Sequence, residues 1–208
     1  MKKKLCCAII SLLLLLTLCS SLVHAGDEVN PEIKDVPMDV KMFGVFSCLP
    51  QYYFKQIDII SAWFAEENNE PEYLFISLKV RDLQDTSDPF EALYSVTWVY
   101  NHEPYQTLLK IHDDGIFGGY FIIDPTGQLQ SCGGTLDIEG NMITWKIPKD
   151  IIGNPSPGSQ ITATSSYALL RPFDKATGQV GADLFKDLTL ELIPLFYGRY
   201  GEDYRIRL

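Results

Sequence analysis

Along residues 73–81, Leu74, Ile76, Leu78 and Val80 alternate with a second set that includes Ser77, Lys79 and Arg81. Side chains of one parity line one face of a β-strand, so such a run demands a second apolar layer to bury its Leu/Ile face. The same period of two recurs in Tyr94, Val96, Trp98 and Tyr100, in Tyr105, Thr107, Leu109 and Ile111, and in Ile143, Trp145 and Ile147. Residues 117–123 and 161–169 extend the pattern. Turn-forming residues separate the runs at 85–89, 101–104, 113–115 and 124–127. Many short strands punctuated this way predict an all-β fold, an antiparallel β-sandwich of jelly-roll-like type with one or two short helical turns.

The stretch EGNMITWKIPKDIIGNPSPG (139–158) shows how one such strand is bounded. Glu139-Gly140-Asn141 supplies a hairpin turn, because Gly and Asn tolerate positive φ. Pro148 has no N–H and cannot continue a central ladder. It suits the start of a helical turn over 148–152, which Gly153 then stops. The Pro/Gly run carries the chain to the next strand, near Ile161.

The first 25 residues have a different design. Lys2, Lys3 and Lys4 precede an apolar run from Leu5 to Leu18, and Val23-His24-Ala25 ends in a small residue. That is the layout of a secretory signal peptide, with cleavage expected after Ala25 and a secreted or cell-surface destination. An apolar run of about 14 residues is short for a span of about 20, so no membrane span is expected after cleavage. The presequence takes three of the 17 lysines and arginines and none of the 27 acids, which leaves a formal charge of −13 on residues 26–208. Phosphate neutralisation needs clustered basic residues, so nucleic acid is not an expected partner. Of five cysteines, Cys48 and Cys132 follow the presequence. In an oxidising compartment they either pair across a long loop or stand as two buried thiols.

The predicted organisation is a signal peptide over 1–25, an N-terminal strand and loop over 26–56, and one sandwich domain over 57–208. Residues 171–196 fit the strand pattern less well. Leu184, Phe185, Leu188 and Leu192 have near-helical spacing, which predicts a loop with a short helix.

Several blocks carry a family resemblance: DIISAWFAE (58–66), EYLFISLKVRDL (72–83), YSVTWVYN (94–101), GNMITWKIPKDIIGNPSPGSQIT (140–162) and the terminal YGEDYRIRL. Their order resembles extracellular β-sandwich modules related to family 9 carbohydrate-binding modules and the DOMON-like group of secreted, often archaeal, proteins. The resemblance implies a recognition or accessory module. Sugar-binding members use aromatic platforms, and some members hold structural calcium.

Candidate residues follow from chemistry. Tyr52, Tyr53, Tyr100 and Tyr105 stand near strand ends or loops and are platform candidates for stacking a sugar ring. Trp63, Trp98 and Trp145 sit inside alternating strands, where core packing is the default. Asp82, Asp85 and Asp88 cluster hard oxygens on one loop, as a calcium site requires, against the plainer account of a solvated acidic loop. No nucleophile-elbow, zinc-protease, P-loop or dinucleotide motif is present, so no enzyme activity is expected. The expected function is a secreted, non-catalytic module for glycan or cell-surface recognition, with a glycan or another extracellular protein as partner. The alternatives are a structural or protein-interaction surface protein without a small ligand, and a glycoside-acting enzyme.

Overall fold

The computed structural model describes residues 26–35, 41–42, 54–83, 90–112, 115–174, 179–180, 185–188 and 201–208. Within them run β1 (Ile33–Lys34), β2 (Lys41–Met42), β3 (Ile59–Glu67), β4 (Glu70–Val80), β5 (Phe90–Tyr100), β6 (Glu103–His112), β7 (Gly115–Ile123), β8 (Leu129–Asp137), β9 (Met142–Pro148), β10 (Gln160–Asp174), β11 (Gln179–Val180), β12 (Phe185–Leu188) and β13 (Tyr204–Arg205). The main path of pairing is β1-β3-β4-β9-β8-β7-β6-β5-β10-β12-β2, and every pair is antiparallel. The fold is the expected all-β, sandwich-like one, made from a single curled sheet. Among the described residues no helix is long and apolar enough to cross a membrane.

The alternating runs explain the curl. Leu74, Ile76, Leu78, Tyr94, Val96, Trp98, Leu109, Ile143, Trp145 and Ile147 are all buried in one core. A flat sheet would leave that face in water, so its two halves fold onto each other. Phe64 of β3 meets Trp98 of β5 edge-to-face, with centroids 5.9 Å apart. Trp145 of β9 donates its indole N–H to the Leu108 carbonyl of β6 at 3.3 Å, so its one polar atom is partnered across the core.

Short turns fix the register. Asn101 and His102 both have positive φ, which gives the two-residue β5–β6 hairpin a twist matched to its strands. At 139–141 the positive φ falls on Asn141, while the Gly140 N–H bonds the Asp137 carboxylate at 2.9 Å. Pro148 ends β9, and i-to-i+3 bonds from Ile151, Ile152 and Gly153 form the expected helical turn before Gly153 takes φ +83°.

One expectation needs correction. The near-helical spacing around 184–192 does not make a helix over 185–188. Phe185–Leu188 is strand β12, paired with residues 167–170 of β10. A short apolar run fits either period, and the open ladder of β10 decides.

Where β1 approaches the start of β10, residues 201–208 join the two sides of the curled sheet in a seam. A register shift between Thr162 and Ser165 places Ala163 at φ +51° and turns Thr164 away from β5. The Thr164 carbonyl then accepts the Gly201 N–H at 2.8 Å, and the Glu32 carbonyl accepts the Glu202 N–H at 2.7 Å. Gly201 is required here, since a Cβ would fall 2.6 Å from the Glu32 carbonyl. Glu66 of β3 fastens the rest. Its buried carboxylate pairs with Lys149 and accepts the Tyr204 hydroxyl at 3.1 Å and the Arg207 N–H at 2.6 Å.

Two stability outcomes follow. Glu66→Gln takes the side-chain carboxylate from the buried Lys149 ammonium, leaving it the Leu208 oxygen at 2.7 Å, and costs about 3 kcal/mol in urea denaturation, with faster amide exchange over 201–208. Ala163→Gly removes a left-handed Cβ clash and raises stability by up to about 1 kcal/mol. A destabilised glycine variant would show that Ala163 is unstrained.

Candidate ligand-binding face

Because Leu74, Ile76 and Leu78 point inward, Tyr73, Phe75, Ser77 and Lys79 of β4 face outward. Pairing then builds two rows across the outer face. Ser77 lies between Trp63 of β3 and Thr144 of β9, and Thr144 lies beside Thr135 of β8. Phe75 lies between Ala65 and Lys146, and Lys146 lies beside Gly133. Ala65 and Ser77 are small, so the rows form a trough of about 420 Å³ with Trp63, Phe75 and Lys146 among its lining residues.

The trough holds both apolar surface and fixed polar groups. Phe75 is half-buried, and Trp63 shows only 7 % of its surface. The Ser77 and Thr144 hydroxyls share a hydrogen bond of 3.0 Å. The Lys146 ammonium stands 4.2 Å from the Tyr73 ring centre and 2.5 Å from a Glu70 oxygen. Glu70 holds this ammonium above the ordinary lysine range. Beyond Tyr73, opposite Pro148, a second hollow of about 480 Å³ opens between 71–73 and the 148–155 turn. Its rim includes Pro71, Glu72, Asp150 and Asn154.

The predicted platform residues lie elsewhere. Tyr105 is a core residue, 8 % exposed, with its ring stacked on Trp98 at 5.7 Å and 13°. Burial first, then Glu103, Asp124 and Tyr100, push its phenol up. Its face is therefore not open for a sugar. Tyr100 is half-buried at the end of β5, close beneath Gly153. Tyr52 and Tyr53 lie outside the described residues. Of the proposed calcium ligands only Asp82 is described, its N–H bonded to the Lys55 carbonyl at 3.3 Å; Asp85 and Asp88 lie outside. Among the described residues no group of three or more His, Cys, Asp or Glu could hold a metal ion.

Trp98 and Trp145 are core, as their strands predict, whereas Trp63 belongs to the outer face. The parity of Phe64 could have shown this: Phe64 points into the core, so its neighbour Trp63 must point out. Sequence reading also missed the buried Glu91, which receives Arg171 from β10 and has His112 of β6 at 3.1 Å. These partners come from strands distant in the chain, and no local spacing announces them.

Comparison with protein-family models, with curated proteins and with solved structures finds no match to this chain.

Cys132 of β8 is a half-buried free thiol packed against the core, while Cys48 lies outside the described residues. Burial pushes the Cys132 thiol up to about 12. A thiol held that high carries roughly a thousandfold less thiolate at pH 8 than an ordinary one, and the thiolate is the reactive form. A thiol reagent at pH 8 is expected to modify Cys132 in the folded protein on the order of 10³ times more slowly than after denaturation. No modification even in denaturant would show instead that Cys132 is bonded, with Cys48 as the available partner.

Proposed function

We propose that this chain is a secreted, non-catalytic recognition module that takes a glycan on the outer face of β3, β4, β9 and β8. The observation that carries the reading is the trough itself, where the half-buried Phe75 ring lies beside the Ser77, Thr144 and Thr135 hydroxyls, above the nearly covered Trp63. A pyranose presents an apolar C–H face and a rim of hydroxyls. An aromatic side chain can take the first, while fixed hydroxyl and charged groups take the second. The Lys146–Glu70 pair offers one donor and one acceptor without a net charge, which favours a neutral sugar over an anionic one. Strands support these groups on a rigid sheet, so little ordering cost accompanies binding.

A glycan array with the chain from Gly26 onward, run beside a panel of chromogenic glycosides, tests this. Binding of a neutral glycan without turnover is expected. Phe75→Ala and Thr144→Ala should each weaken that binding about five- to thirtyfold, since loss of a stacking surface or a fixed polar partner costs on the order of 1–2 kcal/mol. Far-UV circular dichroism should stay unchanged. Turnover of a glycoside would replace this reading with an enzymatic one. Silence on both panels would favour a protein-interaction or structural role.

A further inference from the structure

Residues 26–32 bring the start of the expected mature chain back onto a buried acid. The Asp27 carboxylate accepts the Val29 N–H at 2.9 Å and the Asn30 N–H at 2.7 Å, and this turn reverses the chain. Glu28 pairs with Lys79, which ties the turn to β4. Gly26 consequently lies directly against the Glu32 side chain. A Cβ built on Gly26 would fall 2.0 Å from one Glu32 oxygen and 2.4 Å from the other, so no other residue fits there without displacing the carboxylate. That carboxylate cannot move freely. It is buried, and its Oε2 accepts the Phe64 N–H at 3.0 Å.

We infer that Glu32 is the docking site for the α-ammonium released when the chain is cut between Ala25 and Gly26, and that this ion pair completes the seam only after the presequence has gone. The nitrogen of Gly26 is bonded, at about 1.46 Å, to the same Cα whose Cβ position falls on the Glu32 carboxylate. Before cleavage that nitrogen is an amide and carries no charge. After cleavage it is an ammonium placed at an acid with no lysine among the groups that shift its titration. Burial first opposes its ionisation, the backbone N–H groups of Phe64 and Glu32 favour it, and of the charged neighbours Glu202 opposes it and Arg207 favours it. The Tyr204 phenol faces it as well, its own titration raised in part by Glu32.

The electrical consequence is signed. In the uncut chain, burial chiefly, with Glu202 adding, pushes Glu32 up to about 7 from 4.5. A carboxyl raised in this way favours folding when protonated, and the advantage is lost as pH climbs from about 4.5 towards 7. An ammonium at Gly26 reverses this at neutral pH, because the ionised acid now has a partner until the amine itself deprotonates. The precursor therefore holds its seam weakly at neutral pH, which suits a chain that must cross a membrane unfolded. The processed chain holds it firmly. Glycine at position 26 serves this directly, since any side chain would occupy the space where the ion pair forms. The inference rests on the presequence reading and is independent of the glycan reading.

The test begins with intact-mass analysis of protein secreted from the full-length gene, which is expected to start at Gly26. Residues 26–208 with a free amine are then compared with the same chain retaining Ala25. At pH 7 the free-amine form should melt about 4 °C or more above the extended form. Glu32→Gln should abolish the difference. Should that variant fail to fold, titration of ¹⁵N-labelled Gly26 decides by itself. Its amine should deprotonate well above the ordinary ~8. A mature terminus elsewhere, equal midpoints for the two forms, a gap that survives Glu32→Gln, or an amine titrating at its ordinary value would each overturn the inference.

Discussion

The carboxylate of Glu66 stands where the curled sheet has to close. It is buried, and burying a charge is tolerable only when partners replace its lost water. Lys149, the Tyr204 hydroxyl and the backbone N–H groups of Arg207 and Leu208 supply them. Each partner belongs to a different requirement of the fold. Lys149 lies in the turn that ends β9, Tyr204 stacks on Phe64 in the core at 5.6 Å, and residues 207–208 follow β13. The acid therefore couples the end of β9, the aromatic core and the terminal segment through one set of hydrogen bonds.

That coupling explains why the seam tolerates irregular backbone. Ala163 in the left-handed region is unfavourable alone, yet the shift it produces delivers the Thr164 carbonyl to Gly201. A regular β10 would have kept that carbonyl within the β5 ladder and left the terminal segment without a partner. The bulge thus gives the first part of β10, which β12 does not cover, a partner in the terminal segment. Closure also protects: an open ladder beside a long apolar strand is a template for pairing with another chain.

Much of this fold was legible in the alternation of apolar residues. The inward sets on β4, β5, β6 and β9 are the ones the period of two marks, because a residue's parity decides its face whatever its partner strand. Turn residues at 101–104, 124–127 and 139–141 were legible for a similar local reason. Asp124, for example, accepts the Thr126 hydroxyl and the Thr126 and Gln128 N–H groups within its own loop, and the hydroxyl first among these holds its carboxyl below the ordinary range. What stayed hidden was whatever depends on pairing across long separations. Strand β12 was read as helix because four residues carry too little periodicity to decide. Tyr105 looked accessible from its place near a strand end, but Trp98 lies directly opposite it on β5 and covers its ring. The trough was invisible as a site because Trp63, Phe75, Ser77, Thr144 and Lys146 come from three strands, and only the register aligns them.

The outer face and the seam use opposite solutions to one problem. At the seam, Glu32 and Glu66 are polar groups forced into a low-dielectric place, so every donor must already be present within the protein. On the trough face, Lys146 and Thr144 are only part-buried, and water remains able to satisfy what the protein does not. A sheet with one face dry and one face wet makes this division automatically, since consecutive residues alternate between the two. Phe64 and Trp63 are the clearest instance. One peptide bond separates an aromatic that anchors the core from one that lines the candidate binding surface, so the strand that positions the trough is itself held by the packing of Phe64 on Trp98 and Tyr204. The candidate surface therefore draws its rigidity from the same core that closes the seam.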